Sequence, residues 1–304
     1  MTTTVSSSVV NDVERRHDFV LLFDVTDGNP NGDPDAGNLP RVDPETMQGL
    51  VTDVCLKRKV RDWVLAAQGG KPGLDIFVQH RIYLYDQQSR PYKEKGWSSK
   101  DDKKAGDARK RMCELFYDVR MFGAVMSTTE YNCGQVRGPV QLTFARSIDL
   151  ITPLDISITR VALTKPGDVA QRQEEGDEAP TFGTMGRKAI VPYALYVGHG
   201  FFSPSFAQGT PQSTGVTPDD LCLFWQALQE MWELDRSASR GLMACRGLYV
   251  FNHESKLGNA PAHTLFARIT AQKKVETPRR FEDYEVTVNG DNLPQGVTLT
   301  TLVG

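Results

Sequence analysis

The sequence lacks the motifs by which the common enzyme classes are recognised. It contains no GxxxxGK[ST], GxGxxG, HExxH or GxSxG. It therefore gives no sign of a P-loop hydrolase, a dinucleotide-binding domain, a zinc protease or a serine hydrolase. Histidine is scarce, and its five positions show no short metal-ligand spacing, so we expect structural or surface roles for them. We expect neither a catalytic residue nor a cofactor.

Cysteine and long apolar runs are also scarce. The five cysteines are odd in number and scattered, and they form no CxxC pair, so neither a disulfide framework nor a zinc site is predicted. That pattern is typical of the reducing cytoplasm. No basic start precedes an apolar segment, and no apolar run approaches the ~18 residues of a membrane span. The sequence predicts a cytoplasmic protein with no membrane partner.

The net charge of −3 is small, but the charges are segregated along the chain. A protein that binds nucleic acid can keep its cations on one face while its net charge stays near zero. Acidic stretches occupy residues 24–45 and 174–178, and basic stretches occupy residues 57–61, 100–111 and 268–280.

Hydrophobic periodicity predicts a mixed α+β protein. A helix is predicted to begin at Thr217, because Thr-Pro-Asp-Asp combines an N-cap, a first-turn proline and an acid at the third position. The other predicted elements are a strand over 18–25, a helix over about 44–67, a strand over 76–85, a helix ending near Gly123, a hairpin over 138–163, and strands over 189–202 and 246–254. Without insertions, the order is strand, helix, strands, helix, strand, as in ferredoxin-like or RRM-like folds.

The stretch DGNPNGDPDAGN, residues 27–38, resembles a calcium loop. Its twelfth position is Asn38, which cannot supply the bidentate carboxylate of an EF-hand. Alternatively, Asp27, Asp33 and Asp35 could hold Mg²⁺ for phosphodiester cleavage. Asp, Asn, Gly and Pro are also what any long turn uses, and we favour that interpretation.

Two stretches could contact nucleic acid. Lys57, Arg58, Lys59 and Arg61 follow one another on a predicted helix, either as a solvated face or as phosphate ligands. If four such cations neutralised phosphates of a single strand, log K would fall with log salt at a slope of about −2.8. In RGLYVF, residues 246–251, the aromatics could stack on bases or belong to the core.

The stretch TFGTMGRK, residues 181–188, also has two interpretations. Phe182 and Met185 could wedge between bases while Arg187 and Lys188 bind phosphates. The stretch could instead be a mobile loop whose apolar residues dock on a neighbouring subunit.

Four blocks in this order resemble the type I-C (Csd) branch of the Cas-seven family, the backbone subunits of CRISPR Cascade complexes. The blocks are FDVTDGNPNGDPDAGNLPRVDPETMQGLVTDVCLKRKVRDW, DVRMFGAVM, GPVQLTFARSID and FGTMGRKAIVPYALY. The resemblance implies a single elaborated domain with an RRM-like palm (about 18–68, 138–160 and 200–270), large helical fingers (about 69–137) and an extended β-hairpin thumb (about 160–200). Residues 271–304 would form a C-terminal extension.

The resemblance further implies a non-catalytic subunit that assembles as a helical filament along CRISPR RNA, in antiviral defence. Guide bases would remain exposed for pairing with target DNA. Partners would include further copies of the chain, a Cas-five-like RNA-processing subunit, large and small subunits, and a recruited helicase-nuclease. The residues expected at the RNA are Arg41, Lys57, Arg58, Arg61, Arg137, Arg240 and Arg246, with Phe182 and Met185 as wedge candidates and Arg187 and Lys188 beside them. The alternative is a metal-dependent ribonuclease that uses Asp27, Asp33 and Asp35, as in type III relatives.

Overall fold

The computed structural model describes residues 9–99, 101–160 and 184–304. The strands are β1 (His17–Gly28), β2 (Gly32–Asp33), β3 (Leu39–Pro40), β4 (Gln48–Val51), β5 (Gly123–Val125), β6 (Gln135–Arg137), β7 (Val140–Leu142), β8 (Ala145–Leu150), β9 (Leu154–Arg160), β10 (Thr184–Phe202), β11 (Leu242–His253), β12 (Ile269–Lys273), β13 (Tyr284–Val288) and β14 (Val297–Val303). The helices are α1 (Asp53–Gln68), α2 (Leu84–Lys95), α3 (Ala105–Leu115), α4 (Tyr117–Phe122), α5 (Pro204–Ala207), α6 (Pro218–Leu234) and α7 (Ala262–Phe266). None of the described helices is both long and apolar enough to cross a membrane.

A central antiparallel sheet organises the molecule, in the order β14-β11-β1-β10-β8-β4. β1 is dense in apolar and β-branched residues and lies between β10 and β11, so it is buried along almost its whole length. β10 is 19 residues long, and its second half also pairs with β7 and β8. Its first half extends beyond β1 and pairs with β9. The predicted mixed α/β class and the strands at 18–25, 189–202 and 246–254 are confirmed.

Helices α1 and α6 cover one face of the sheet. Phe23 of β1 stacks on Trp232 of α6, with ring centroids 4.6 Å apart, and on Tyr196 of β10 at 5.3 Å. α6 begins where the sequence predicts, because the Thr217 and Asp220 side chains form a reciprocal capping box. Burial of the apolar stripes of both helices against β1 forms the main core.

The opposite face of the sheet is covered by the C-terminal part of the chain. Tyr249 and Phe251 of β11 are 3% and 0% exposed there, packed in one cluster with Leu265, Tyr284 and Val297. The aromatics of RGLYVF are therefore core residues. Base stacking on the open face of a sheet, as in RRM proteins, is not available at these two positions.

Three predicted elements are wrong in extent or pairing. The first helix begins at Asp53 rather than near Pro44, because residues 48–51 form β4 and pair with β8. Residues 76–83 form no strand: the Phe77 and Val78 amides donate to the Asp118 carboxylate, and α2 begins at Leu84. β8 and β9 form no hairpin with each other, because each pairs with a different part of β10.

Helices α2 to α4 and the β5–β6 ribbon form a second, smaller core. Two buried ion pairs join this part to the sheet and its helices. Arg61 of α1 donates to Asp118 at 2.7 Å, and Arg120 of α4 donates through two nitrogens to Asp220 of α6 at 2.9 and 2.7 Å. Breaking a buried pair leaves an uncompensated charge, so these pairs fix the two parts together.

Candidate nucleic-acid interface

The loop between β1 and β4 is held by its own amides. Asn29 donates from its backbone to Ser239 O and from its side chain to Asn38 O, each at 2.7 Å. Asn31 Oδ1 accepts from the amide and hydroxyl of Thr52, the N-cap of α1, at 3.0 Å. The Asx-rich stretch therefore acts as turn chemistry that fixes the loop to the start of α1.

Two glycines let this loop pack backbone against backbone on the turn before β11. A Cβ on Gly28 would lie 2.0 Å from Arg240 O, and one on Gly241 would lie 2.3 Å from Thr26 O. Gly241 also has a φ of 63°, in the left-handed region. Only glycine permits this approach, which brings Ser239 and Arg240 beside Asn29.

The loop acids do not converge. Asp33 caps the short turn at Pro34–Ala36 and pairs with Arg41 at 3.4 Å. Asp35 and Asp27 are exposed. Across the described ranges, no three side chains of Asp, Glu, His or Cys lie close enough together to hold a metal ion.

A cavity of about 500 Å³ lies between this loop, β10 and the turn before β11. Its walls are Asn29, residues 36–39, Asp155, residues 187–189 and Ser239. The loop contributes amides and the apolar Leu39, whereas β10 contributes Arg187 and Lys188. Both cations are predicted phosphate ligands, and both residues line this cavity, at successive positions of β10 whose side chains leave opposite faces of the strand.

Arg187 is a highly accessible member of the predicted RNA ligands. Its side chain is 81% exposed and lies 3.4 Å from Asp155, a pair that water screens strongly. Arg240 differs, because its guanidinium donates to the carbonyls of Asn29 and Pro30 at 3.1 and 2.9 Å and pairs with Asp235. Arg240 therefore stabilises the position of the loop through these backbone carbonyls.

The basic residues of α1 do not form one exposed face. Lys59 is 3% exposed and ion-paired with Asp235, and burial lowers its pKa to about 8, with a smaller contribution from the charge of Arg240. Arg61 is buried against Asp118. Lys57 and Arg58 pair within the helix with Asp53 and Asp62. The expectation of a four-cation surface is wrong for Lys59 and Arg61, since each has a carboxylate partner that is remote in sequence.

The other predicted ligands lie apart. Arg246 donates to the buried Asp24 at 2.7 Å, and desolvation raises the pKa of that carboxyl despite the arginine. Arg137 lies over the Phe206 ring, 4.3 Å from its centroid. Met185 pairs with Thr159 through the backbone, and Phe182 lies outside the described residues.

Sequence reasoning missed Asn29, Asp155 and Ser239 as cavity residues. The stretch DGNPNGDPDAGN singles out the loop, but no spacing in the sequence shows that β9, β10 and the turn before β11 (residues 237–241) meet it. The close approach of Gly28 and Gly241, which places these segments together, is a tertiary contact.

Comparisons with known proteins agree on one family. A family model described as CRISPR-associated protein Cas7 matches residues 15–289. A curated protein of that description from Haloferax volcanii is 36% identical over 115 residues, which is 37% of this chain and 32% of the relative. The chain thus aligns with about a third of that relative's length.

Two solved structures were also matched, each at a TM-score below 0.5. A chain of a "CRISPR RNA-guided surveillance complex, pre-nicking" gives a TM-score of 0.48 at 15% identity, covering 78% of both chains. A chain of another CRISPR RNA-guided surveillance complex gives 0.45 at 14% identity, covering 78% of this chain and 68% of that one.

Proposed function

The chain belongs to the CRISPR-associated Cas7 family, and we propose that it is a non-catalytic, RNA-binding backbone subunit of a type I-C Cascade complex. The observation on which this proposal depends is the family match, which runs through β1, both sheet-covering helices and β11. Copies of the chain would line up along CRISPR RNA as a helical filament. The guide bases would remain exposed to pair with target DNA.

The strand order supports an RRM-like palm. The chain order is β1-α1-β8-β10-α6-β11, which is the strand-helix-strand-strand-helix-strand order of the ferredoxin-like fold. In the sheet, these four strands lie in the order β11-β1-β10-β8. In this proposal, the part built on α2 to α4 is the fingers, and the β9–β10 ribbon is the base of the thumb.

The RNA backbone would pass the cavity between the β1–β4 loop and β10. Arg187 and Lys188 line that cavity, and Arg240 fixes the loop that forms its other wall. Phosphate contacts of this kind position a strand without reading its sequence, which suits a subunit that must accept any guide. Arg41 would contribute at the loop exit, and Met185 and Phe182 remain the proposed wedge.

The proposal includes partners at the level of the complex. These are a Cas-five-like RNA-processing subunit, large and small subunits, and a recruited helicase-nuclease, in a bacterial cytoplasm. Cleavage would belong to that recruited enzyme. In this proposal Asp33 serves the loop itself, where it pairs with Arg41 and caps the turn at Pro34–Ala36.

RNA binding by the purified chain tests the proposal. We expect a labelled single-stranded RNA to bind with steep salt dependence and to shift the protein to high mass in light scattering, with similar affinity for unrelated sequences. A protein that stays monomeric and does not bind RNA at low salt would refute the assignment. Co-expression with the other Cascade subunits and CRISPR RNA tests the subtype, since only a matching set should co-purify.

A further inference from the structure

One polar atom at the cavity wall is left without a partner. Asn29 is 8% exposed, and its backbone N–H, backbone C=O and Nδ2 are bonded to Ser239, Arg240 and Asn38 respectively. Its Oδ1 is buried and has no donor among the described residues. The amide orientation is fixed, because only the nitrogen can donate to the Asn38 carbonyl.

A buried acceptor without a donor destabilises the loop. A bound group that brings a hydroxyl or an N–H to this atom would remove that cost. Asn29 lines the cavity, so a group seated there would lie beside the residue that carries this oxygen.

The rest of the cavity indicates what kind of group it would accept. Arg187 and Lys188 supply positive charge for a phosphate, and Leu39 is 44% exposed beside them as an apolar surface. The volume of about 500 Å³ is sufficient for one nucleotide unit. A ribonucleotide combines a phosphate, a flat ring and a sugar hydroxyl that can donate, and a deoxyribonucleotide lacks that hydroxyl.

We propose that this cavity seats one ribonucleotide of the bound strand, with its 2′-hydroxyl donating to Asn29 Oδ1, its phosphate on Arg187 and a neighbouring phosphate of the strand on Lys188. Asn29 is then the residue by which the chain selects RNA over DNA. This inference depends on the proposed RNA-binding function and assigns a specificity determinant to the same site.

The test compares one single-stranded sequence as RNA, as DNA and as 2′-O-methyl RNA. We expect the wild-type chain to bind RNA on the order of tenfold more tightly than either analogue, since both lack the donor hydroxyl. In Asn29→Leu, which keeps the branching at Cγ but has no acceptor and also loses the Nδ2 bond to Asn38 O, the DNA-to-RNA ratio of Kd values should fall towards one while RNA still binds.

Two further variants separate a lost acceptor from a loosened loop or a lost charge. Arg240→Gln removes the bonds to Asn29 O and Pro30 O but keeps Asn29 Oδ1, so both affinities should fall and the ratio should persist. Arg187→Gln should weaken RNA and DNA by the same factor. Thermal melting of each variant checks that it is folded.

The outcomes are distinct. A ratio near one in the wild type, or a ratio that Asn29→Leu leaves unchanged, overturns the assignment of Asn29 and leaves the RNA-binding function in place. Equal loss of the ratio in Arg240→Gln and Asn29→Leu also overturns it, since selection would then follow loop order. Absence of binding to all three strands refutes the proposed function, and this inference fails with it.

Discussion

Replacing Arg187 and Lys188 by glutamine should reduce the salt dependence of RNA binding by a calculable amount. Each phosphate contact on a single strand contributes about 0.7 to the slope of log K against log salt, so the double variant should lose about 1.4. Between about 50 and about 200 mM salt, the wild type should therefore lose roughly sevenfold more affinity than the variant. The 81% exposure of Arg187 makes it free to reach a phosphate.

Fluorescence anisotropy with a labelled single-stranded RNA at four or more salt concentrations measures both slopes. The matched control is Lys57→Gln with Arg58→Gln, which removes the same charge from cations that pair within α1 with Asp53 and Asp62. We expect the control slope to stay near that of the wild type. If the control lost the slope and the β10 variant kept it, the RNA path along the cavity would be wrong and α1 would be the interface.

Four further outcomes are expected. Asp155→Asn should strengthen RNA binding in the same anisotropy assay, because it frees Arg187 and removes a negative charge from the cavity wall; weaker binding would contradict a phosphate there. Arg120→Met should lower the free energy of unfolding in urea by about 3–5 kcal/mol by leaving Asp220 buried without its cation, whereas Arg236→Met, which breaks an exposed pair with Glu233, should change it little. The pKa of Lys59 is about 8 in the folded chain against 10.5 ordinarily, so the folded state binds fewer protons between these values and wild-type stability should rise with pH there. In urea, the unfolding free energy of the wild type relative to Lys59→Met should rise by on the order of 2 kcal/mol between about pH 7.5 and 9.5, and a constant difference would contradict the lowered pKa. The assembled complex, incubated with complementary RNA and Mg²⁺, should give no chelator-sensitive cuts; regular cuts would favour a nuclease that uses the loop aspartates.

Local signals in the sequence were sufficient for several elements. The capping box at Thr217 and Asp220 lies within four residues, so the start of α6 could be predicted from the local sequence alone. The strand before α1 could not, because residues 48–51 form β4 through pairing with β8, about a hundred positions further along the chain. The start of α1 did have a local signal, since Gly49 and Val51 are poor helix formers and Thr52 caps the helix.

The same distinction applies to the candidate site. Lys57, Arg58, Lys59 and Arg61 are equivalent as a run of cations, and only the folded chain shows that Asp235 and Asp118 bury two of them. Arg187 and Lys188 were predicted as phosphate ligands from their neighbours in sequence. The cavity beside them was beyond prediction, since it is formed by segments that meet only after β1, β10 and β11 have paired.

The length of β10 and its change of pairing partners determine how a force on the β9–β10 ribbon reaches the sheet. At about 3.3 Å per residue, its 19 residues extend roughly 60 Å, from the exposed ribbon with β9 to the centre of the sheet. The strand changes partners between Ile190, opposite Leu154 of β9, and Tyr196, opposite Ser147 of β8, and Pro192 lies in that interval. A load on the ribbon would therefore act as torque about the segment near Pro192, with the paired core as the fixed end. Because Asp155, Arg187 and Lys188 lie on the ribbon side of that segment, a swing of the ribbon would move one wall of the cavity against the loop that forms the other.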